Sequence, residues 1–563
     1  MAAALTLAGT ARAGGGPLAV VVLYNADVSA AVRVAELYRD TRQIPSRQLC
    51  GVSGLKESDA TIDVSTFKTK IQAPLDNCIG ALPHPERVDY VVLVRGLPYA
   101  VTLPTYGVAL QAAIQVRHAK RASDGAELAG LGQPGNDSAS VANPLYPMGS
   151  APGSDYTIDN PFKSWYSAAS RVTRAIDQPR AFHARNAPAM DGWAWANNLV
   201  IVSSLDGFDY TDATELVVRG SKSDGTFPKA DLLCMKGADD ARGARDPECE
   251  YTTRMLAAAG LGGAWVPTFD GKLSGRTLAG YMTGAADLRE AIAGNTYVPG
   301  AIACNLTSFG AAIPNFACAA DGGACPANEN QTSFARFVRA GATGAHGTVL
   351  EPKNNVFPNA GTLLHYTFGY SMGESFLFNQ RYLYWQSIYL GDPLAAPYAE
   401  RPTVTLDVPR EAPEGSLITA RATHPAGIAS IALFEDGRLA AEAEDATVTH
   451  PIRRGVEVVL AVAIARDAPA TRAGWPNPNQ RPHPEIEGWR SARVKVSAAP
   501  PPGDGPADGG ATDAASPASP GESGGCACGV TPARAEATWA AWVIGALSAL
   551  AGARRSARRR GGR

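Results

Sequence analysis

The sequence predicts an α/β fold with a mainly parallel sheet, followed by a small all-β domain, and three observations carry that expectation. Continuous apolar runs such as 18–24 (LAVVVLY) alternate with stretches of helical spacing as far as Pro397. Uninterrupted apolar runs belong to strands covered on both faces, and their alternation with helices over this length argues a parallel sheet. From Pro402 the texture changes to short alternating segments separated by turn signals, as in a β-sandwich.

The first run ends at Asn25-Ala26-Asp27, and 29–41 then carries Val32, Ala35, Leu37 and Tyr38 at helical spacing. Ile44-Pro45 closes that helix, because proline pushes the residue before it out of helical geometry. A second strand, 88–94 (VDYVVLV), ends at Arg95-Gly96, and 199–203, 300–304 and 347–350 supply further runs. Ligands of such sheets sit beyond the carboxyl ends of the strands, so the residues just after each run are the ones to inspect. The later strands are expected at 404–408, 417–422, 430–434, 456–465 and 492–496, with Asp436-Gly437 as a hairpin turn. They suggest an immunoglobulin-like sandwich over 399–497.

Charge and cysteine usage narrow the class. The 563 residues carry 51 basic and 53 acidic side chains, a formal charge of −2, so no global field points to nucleic acid. Residues 1–13 read as the remnant of a signal peptide, with Ala11-Arg12-Ala13 as the small-x-small cleavage pattern. Among nine cysteines, Cys50 with Cys78, Cys234 with Cys249, and Cys318 with Cys325 form sequence-local couples suited to an oxidising compartment, which leaves Cys304 alone in the body at 14–398. The stretch 498–525, almost wholly Ala, Pro, Gly, Ser and Asp, is a disordered linker. The tail at 526–563 follows with Cys526-Ala527-Cys528, an apolar helix at 537–553 and an arginine cluster from Arg554 to Arg563, which suits a short membrane span with positive flanks.

That order of linker, cysteine pair, apolar helix and arginine cluster resembles the MYXO-CTERM sorting tail of myxobacterial surface proteins. The resemblance implies a sorting protease and the outer membrane as partners, cell-surface anchoring, and Cys526 or Cys528 as the anchoring residue.

In the body, 278–285 (LAGYMTGA), 300–310 (GAIACNLTSFG), 341–352 (GATGAHGTVLEP) and 389–393 (YLGDP) follow one another. This succession resembles the gingipain-type cysteine peptidases of the caspase-like superfamily, over about 199–397. The resemblance implies that Cys304 is the nucleophile at the end of its strand and that Gly391-Asp392-Pro393 is the closing turn. The histidine of the family's Gly-His-Gly turn falls on Thr283-Gly284-Ala285, where no histidine stands. His346 follows the cysteine and is expected to lie out of its reach, and His365 is expected at a core edge. The segments YNAD, VVLVRGLP, GTVLEP and GDPL also resemble a family of exported bacterial proteins with no assigned reaction.

Other chemistries are weaker. Asp206, Asp209, Asp212 and Glu215 lack the spacing of a calcium loop and read as caps and solvated acids. Ser308 with His346 and Asp392 lacks the nucleophile elbow of a serine hydrolase. No metal-ligand motif, phosphate loop or cofactor signature is present. Trp165, Tyr166, Trp193 and Trp195 offer a carbohydrate-facing surface or line a strand. The expectation is therefore an exported, surface-anchored protein with a non-catalytic body that binds an extracellular protein or polysaccharide. The alternative is a cysteine peptidase or related thiol hydrolase using Cys304, with His346 as its candidate partner.

Overall fold

The computed structural model describes residues 15–103, 107–121, 141–143, 193–195, 200–313, 329–349, 354–380, 382–383, 386–466 and 487–498. The expected leader, the linker beyond 498, the tail with Cys526 and Cys528, the Cys318/Cys325 couple, Trp165 and Tyr166 all lie outside the described residues. So does the apolar run at 537–553. Among the described residues no helix is long and apolar enough to cross a membrane.

Ten strands form the main sheet: β1 (Val20–Asn25), β2 (Leu49–Val52), β3 (Tyr90–Val94), β4 (Ile201–Leu205), β5 (Asp231–Met235), β6 (Gly263–Val266), β7 (Thr277–Thr283), β8 (Thr296–Asn305), β9 (Gly344–Thr348) and β10 (Ser387–Gly391). Their order is β6-β5-β7-β8-β9-β10-β4-β3-β1-β2. The sheet is mostly parallel, and β10 runs antiparallel to β9. Every residue of β3, an uninterrupted apolar run, is buried, as expected of a strand covered on both faces, and so is every residue of β9, which carries His346 and Thr348 inside.

Helix α1 (Ser29–Arg42) buries Ala31, Val34, Ala35, Tyr38 and Arg42, the spacing of one helical face. It stops at Gln43, whose φ of 59° is left-handed and whose N–H closes on Arg39 O. Its last turn is clamped to the Gly-Asp-Pro turn after β10. Asp392 is buried and accepts from Tyr38 Oη at 2.7 Å, from Arg42 Nε at 2.7 Å, and from the Leu394 N–H at 3.0 Å. Arg42 also pairs with Asp224 at 2.6 Å. Gly391, at φ +132°, is required there, because a Cβ would lie 2.4 Å from Thr343 O.

The disulfide Cys50–Cys78 is formed, with Cα atoms 5.9 Å apart. The expected Cys234–Cys249 bridge is corrected: both are buried free thiols, on β5 and on α4 (Asp246–Ala258). The packing of α4 against the sheet brings the two sulfurs within hydrogen-bond reach, and burial pushes the Cys234 thiol well up.

The β domain follows as a three-stranded sheet of β11 (Thr403–Asp407), β12 (Leu417–Thr423) and β15 (Thr447–Pro451), in the order β11-β12-β15. A four-stranded sheet has the order β14-β13-β16-β17, from β13 (Ile428–Glu435), β14 (Arg438–Ala443), β16 (Val458–Ala465) and β17 (Glu487–Arg493). Asp436-Gly437 makes the β13–β14 hairpin, with both residues at positive φ, 48° and 81°. The domain has its own core around Ile418, Ile431, Leu433 and Val459. A further cluster joins Leu18, just before β1, to Phe434, Leu460 and Val462 of the β domain. Trp489 Nε1 donates to Arg42 O at 3.1 Å, and the Arg401 guanidinium lies 4.7 Å over the same indole. The β domain is therefore seated on the body by a packed apolar contact.

Candidate functional site

Cys304, His346 and Tyr389 stand at one register of three adjacent strands, β8, β9 and β10. Partners in register share a face of the sheet, so the three side chains form a short ladder. Cys304 Sγ lies 3.5 Å from His346 Nδ1. This corrects the expectation that no histidine would reach the cysteine: parallel pairing of β8 with β9 sets His346 directly beside it. The rings of His346 and Tyr389 are 4.8 Å apart.

A third group, absent from the sequence reading, completes the cluster. Arg245, immediately before α4, is buried and places Nη1 3.1 Å from Cys304 Sγ. Its other contacts are to carbonyls: Pro358 O at 2.8 Å, Thr283 O at 2.8 Å and Cys304 O at 3.3 Å. The guanidinium also lies 5.8 Å over the Phe357 ring. A buried charge is tolerable only when its donors are satisfied, and here the ends of β7 and β8 supply the acceptors.

Cys304 and His346 each have 0% of their surface exposed. Burial pushes the Cys304 thiol up, and Arg245 beside it offsets only part of that. Burial, and then the Arg245 charge, hold His346 well below the ordinary histidine range. Its buried Nε2 has no partner among the described residues. At neutral pH the cluster is thus a neutral thiol beside a neutral imidazole, unlike the thiolate that nucleophilic chemistry needs.

The turn after β7 is tightly held. Asn305 clasps it, accepting from Ala285 N–H at 2.8 Å and donating to Ala285 O at 2.9 Å. The loop after β5 closes over it, with Ala238 N–H on Gly284 O at 2.8 Å. A Cβ on Gly284 would lie 2.2 Å from Arg242 O. A backbone atom cannot yield that much, so any side chain at 284 requires the loop to move.

The remaining sequence candidates disperse. Asp392 is spent on Tyr38 and Arg42, and among the described residues His346 meets Cys304, so Ser308, His346 and Asp392 form no triad. His365 sits inside α5 (Gly361–Thr367), where burial lowers it to about 3, in keeping with a core role. Asp209 caps α3 (Tyr210–Ser223) by accepting from Asp212 N–H at 3.0 Å. Arg339 takes Asp209 at 2.8 Å and Asp212 at 2.6 Å. Among the described residues no cluster of acids, cysteines and histidines could hold a metal ion.

The carboxyl ends of β3 and β4 carry a second polar cluster. Arg95, just past β3, donates through Nη1 to Asp206 Oδ1 at 2.7 Å and to Gly207 O at 2.8 Å. Burial raises the Asp206 carboxyl against the pull of Arg95. Gln111, on α2 (Leu110–Gln115), donates to Ser204 Oγ at 2.7 Å and grips both Tyr389 backbone groups, at 2.8 and 2.9 Å. Arg95 follows an apolar strand run and was visible to strand-end inspection, whereas Gln111 and Arg245 left no signal.

No family model and no curated protein matches this chain. Among solved structures, one described as "Structure of Protease" covers 85% of this chain and 98% of its own, at 10% identity and a TM-score of 0.37. Fibronectin(III)-like modules of Clostridium thermocellum CbhA cover 17% of this chain and 100% of their own, at 18% identity and a TM-score of 0.13. A Bacteroides uniformis beta-glucuronidase covers 19% of this chain and 12% of its own, at 9% identity and a TM-score of 0.13. At such scores these likenesses assign neither family nor activity.

Proposed function

We propose that this chain is an exported, surface-held protein whose caspase/gingipain-like body binds a partner or polymer and does not cleave peptide bonds. In this reading the immunoglobulin-like β domain is a spacer docked on the body, and the tail with Cys526 and Cys528 anchors the whole. The observation that carries the non-catalytic part is the closed thiol centre. Cys304 and His346 have no exposed surface, and Arg245 fills the space beside the sulfur. The crowded Gly284 turn, where the resemblance expects a histidine, points the same way. A test of the binding part is retention of the full chain and of Cys304→Ala on envelope fractions of the producing cells. Equal retention is expected, and loss of retention with the thiol would oppose the reading.

One observation favours a second reading, a thiol hydrolase: the 3.5 Å approach of Cys304 Sγ to His346 Nδ1. That chemistry needs the sulfur ionised and reachable, so opening of the Arg245 contact would have to precede any reaction. Covalent trapping of Cys304 by a peptidyl electrophile, abolished in His346→Ala, would favour it.

A further inference from the structure

We propose that the cleft at the carboxyl ends of β3 and β4 is a binding site for a neutral, hydroxyl-bearing ring, a saccharide unit, held between Ser204 and Asp206. This names the place and ligand class of the binding reading above and rests on it. The cleft opens to solvent and encloses about 280 Å3, solvent included, while its depth accepts a group the size of a single water, about 20 Å3. Leu97, Pro98, Tyr99, Leu110 and Ile388 line it together with Ser204 and Asp206. A hydroxyl or hydroxymethyl arm fits the depth, and an apolar ring face fits the apolar lining.

The hydrogen-bond inventory selects the ligand. Ser204 Oγ already accepts from Gln111, so its own proton remains to be donated. Asp206 Oδ1 is taken by Arg95 and by the Gly207 N–H, whereas Oδ2 has no partner among the described residues. The two residues stand two apart along one strand direction, on one face, with roughly 6–7 Å between them. One donor and one acceptor at that separation suit two hydroxyls of one ring. Ionic ligands are disfavoured by pairing: an ammonium drawn to Asp206 meets the Arg95 guanidinium at 2.7 Å from it, and an anion meets the carboxylate. The position is also the one where open α/β sheets take their ligands.

The test is calorimetric titration of the full chain with maltohexaose, cellohexaose and chitohexaose, with butylammonium and acetate as charged probes. At least one oligosaccharide is expected to bind, and Ser204→Ala and Asp206→Asn should each weaken it tenfold or more. Ser204→Ala removes a single hydroxyl and remains decisive if Asp206→Asn fails to fold. Saccharide binding that both folded variants leave unchanged overturns the cleft while the binding reading survives. Tighter binding of either charged probe, displaced by Leu97→Trp, overturns the neutral class. No oligosaccharide binding at all overturns the inference, and envelope retention then judges the broader reading separately.

Discussion

Two strand-end clusters of this protein use similar residue types to opposite effect. At the end of β8, a buried arginine meets a cysteine and three carbonyls and leaves no surface open. At the end of β4, a buried arginine meets Asp206 and one carbonyl, and the carboxylate keeps an oxygen free beside an open cleft. A buried cation whose acceptors all come from the protein works as a plug, because both of its terminal nitrogens are already engaged. A cation that neutralises an acid while leaving part of that acid unspent prepares a site. The comparison therefore turns on which hydrogen-bonding capacity remains, more than on which residues are present.

The largest effect should come from the plug. Arg245→Met strips donors from Thr283 O, Cys304 O and Pro358 O in the core. Leaving a buried acceptor unpaired typically costs about 1–3 kcal/mol, so with three carbonyls stripped urea unfolding of the variant should register a loss of about 3 kcal/mol. The same variant should speed alkylation of Cys304. A loss below about 1 kcal/mol would mean that the guanidinium is a bystander and the contrast fails. Next in size is Gly284→Ala, whose methyl meets Arg242 O; overpacking of this kind costs about 1–3 kcal/mol. Gly284→His, which places there the residue the resemblance implies, should destabilise further and yield no peptidase activity.

A pH experiment sharpens the comparison from the side of the histidines. His346 is held well below its ordinary range and His365 at about 3, both chiefly by burial. Below about pH 6.5 the unfolded chain binds protons at these positions and the folded chain does not. The contribution of each is thus fully present above that pH and is lost as pH falls, at up to about 1.4 kcal/mol per unit. Urea midpoints at pH 7.5 and 5.5 should differ accordingly, and His346→Leu should remove roughly half of the histidine part of the difference. An unchanged slope in that variant would place the charged imidazole inside the folded state. The smallest effect belongs to the cleft: Ser204→Ala should change stability by about 1 kcal/mol or less, since Gln111 keeps its bonds to Tyr389.

The parallel sheet was legible chiefly from β1 and β3, whose apolar runs are nearly continuous while the helix between them is amphipathic. Helix α1 was placed to within a residue, and the switch to β texture at Pro402 falls just before β11. Cys304 was found at the end of its strand for the same reason. What escaped was pairing. Nothing in the order of residues says that β9 aligns beside β8 so that His346 meets Cys304; that depends on sheet register, which is settled by packing across the whole domain. Arg245 escaped because a lone arginine in a polar loop looks solvated until the loop is seen to fold inward. Cys234 and Cys249 were correctly brought near each other, but spacing could not tell a thiol contact from a bond.

The central claim is that the thiol centre is closed and carries no thiolate. Its most direct test is the alkylation rate of Cys304 in the native full chain at neutral pH, resolved by peptide mass from Cys234 and Cys249 and compared between wild type and His346→Ala. The account expects labelling far slower than that of an unfolded control, with no slowing on removal of the imidazole. Rapid labelling of the wild type that His346→Ala abolishes would contradict it.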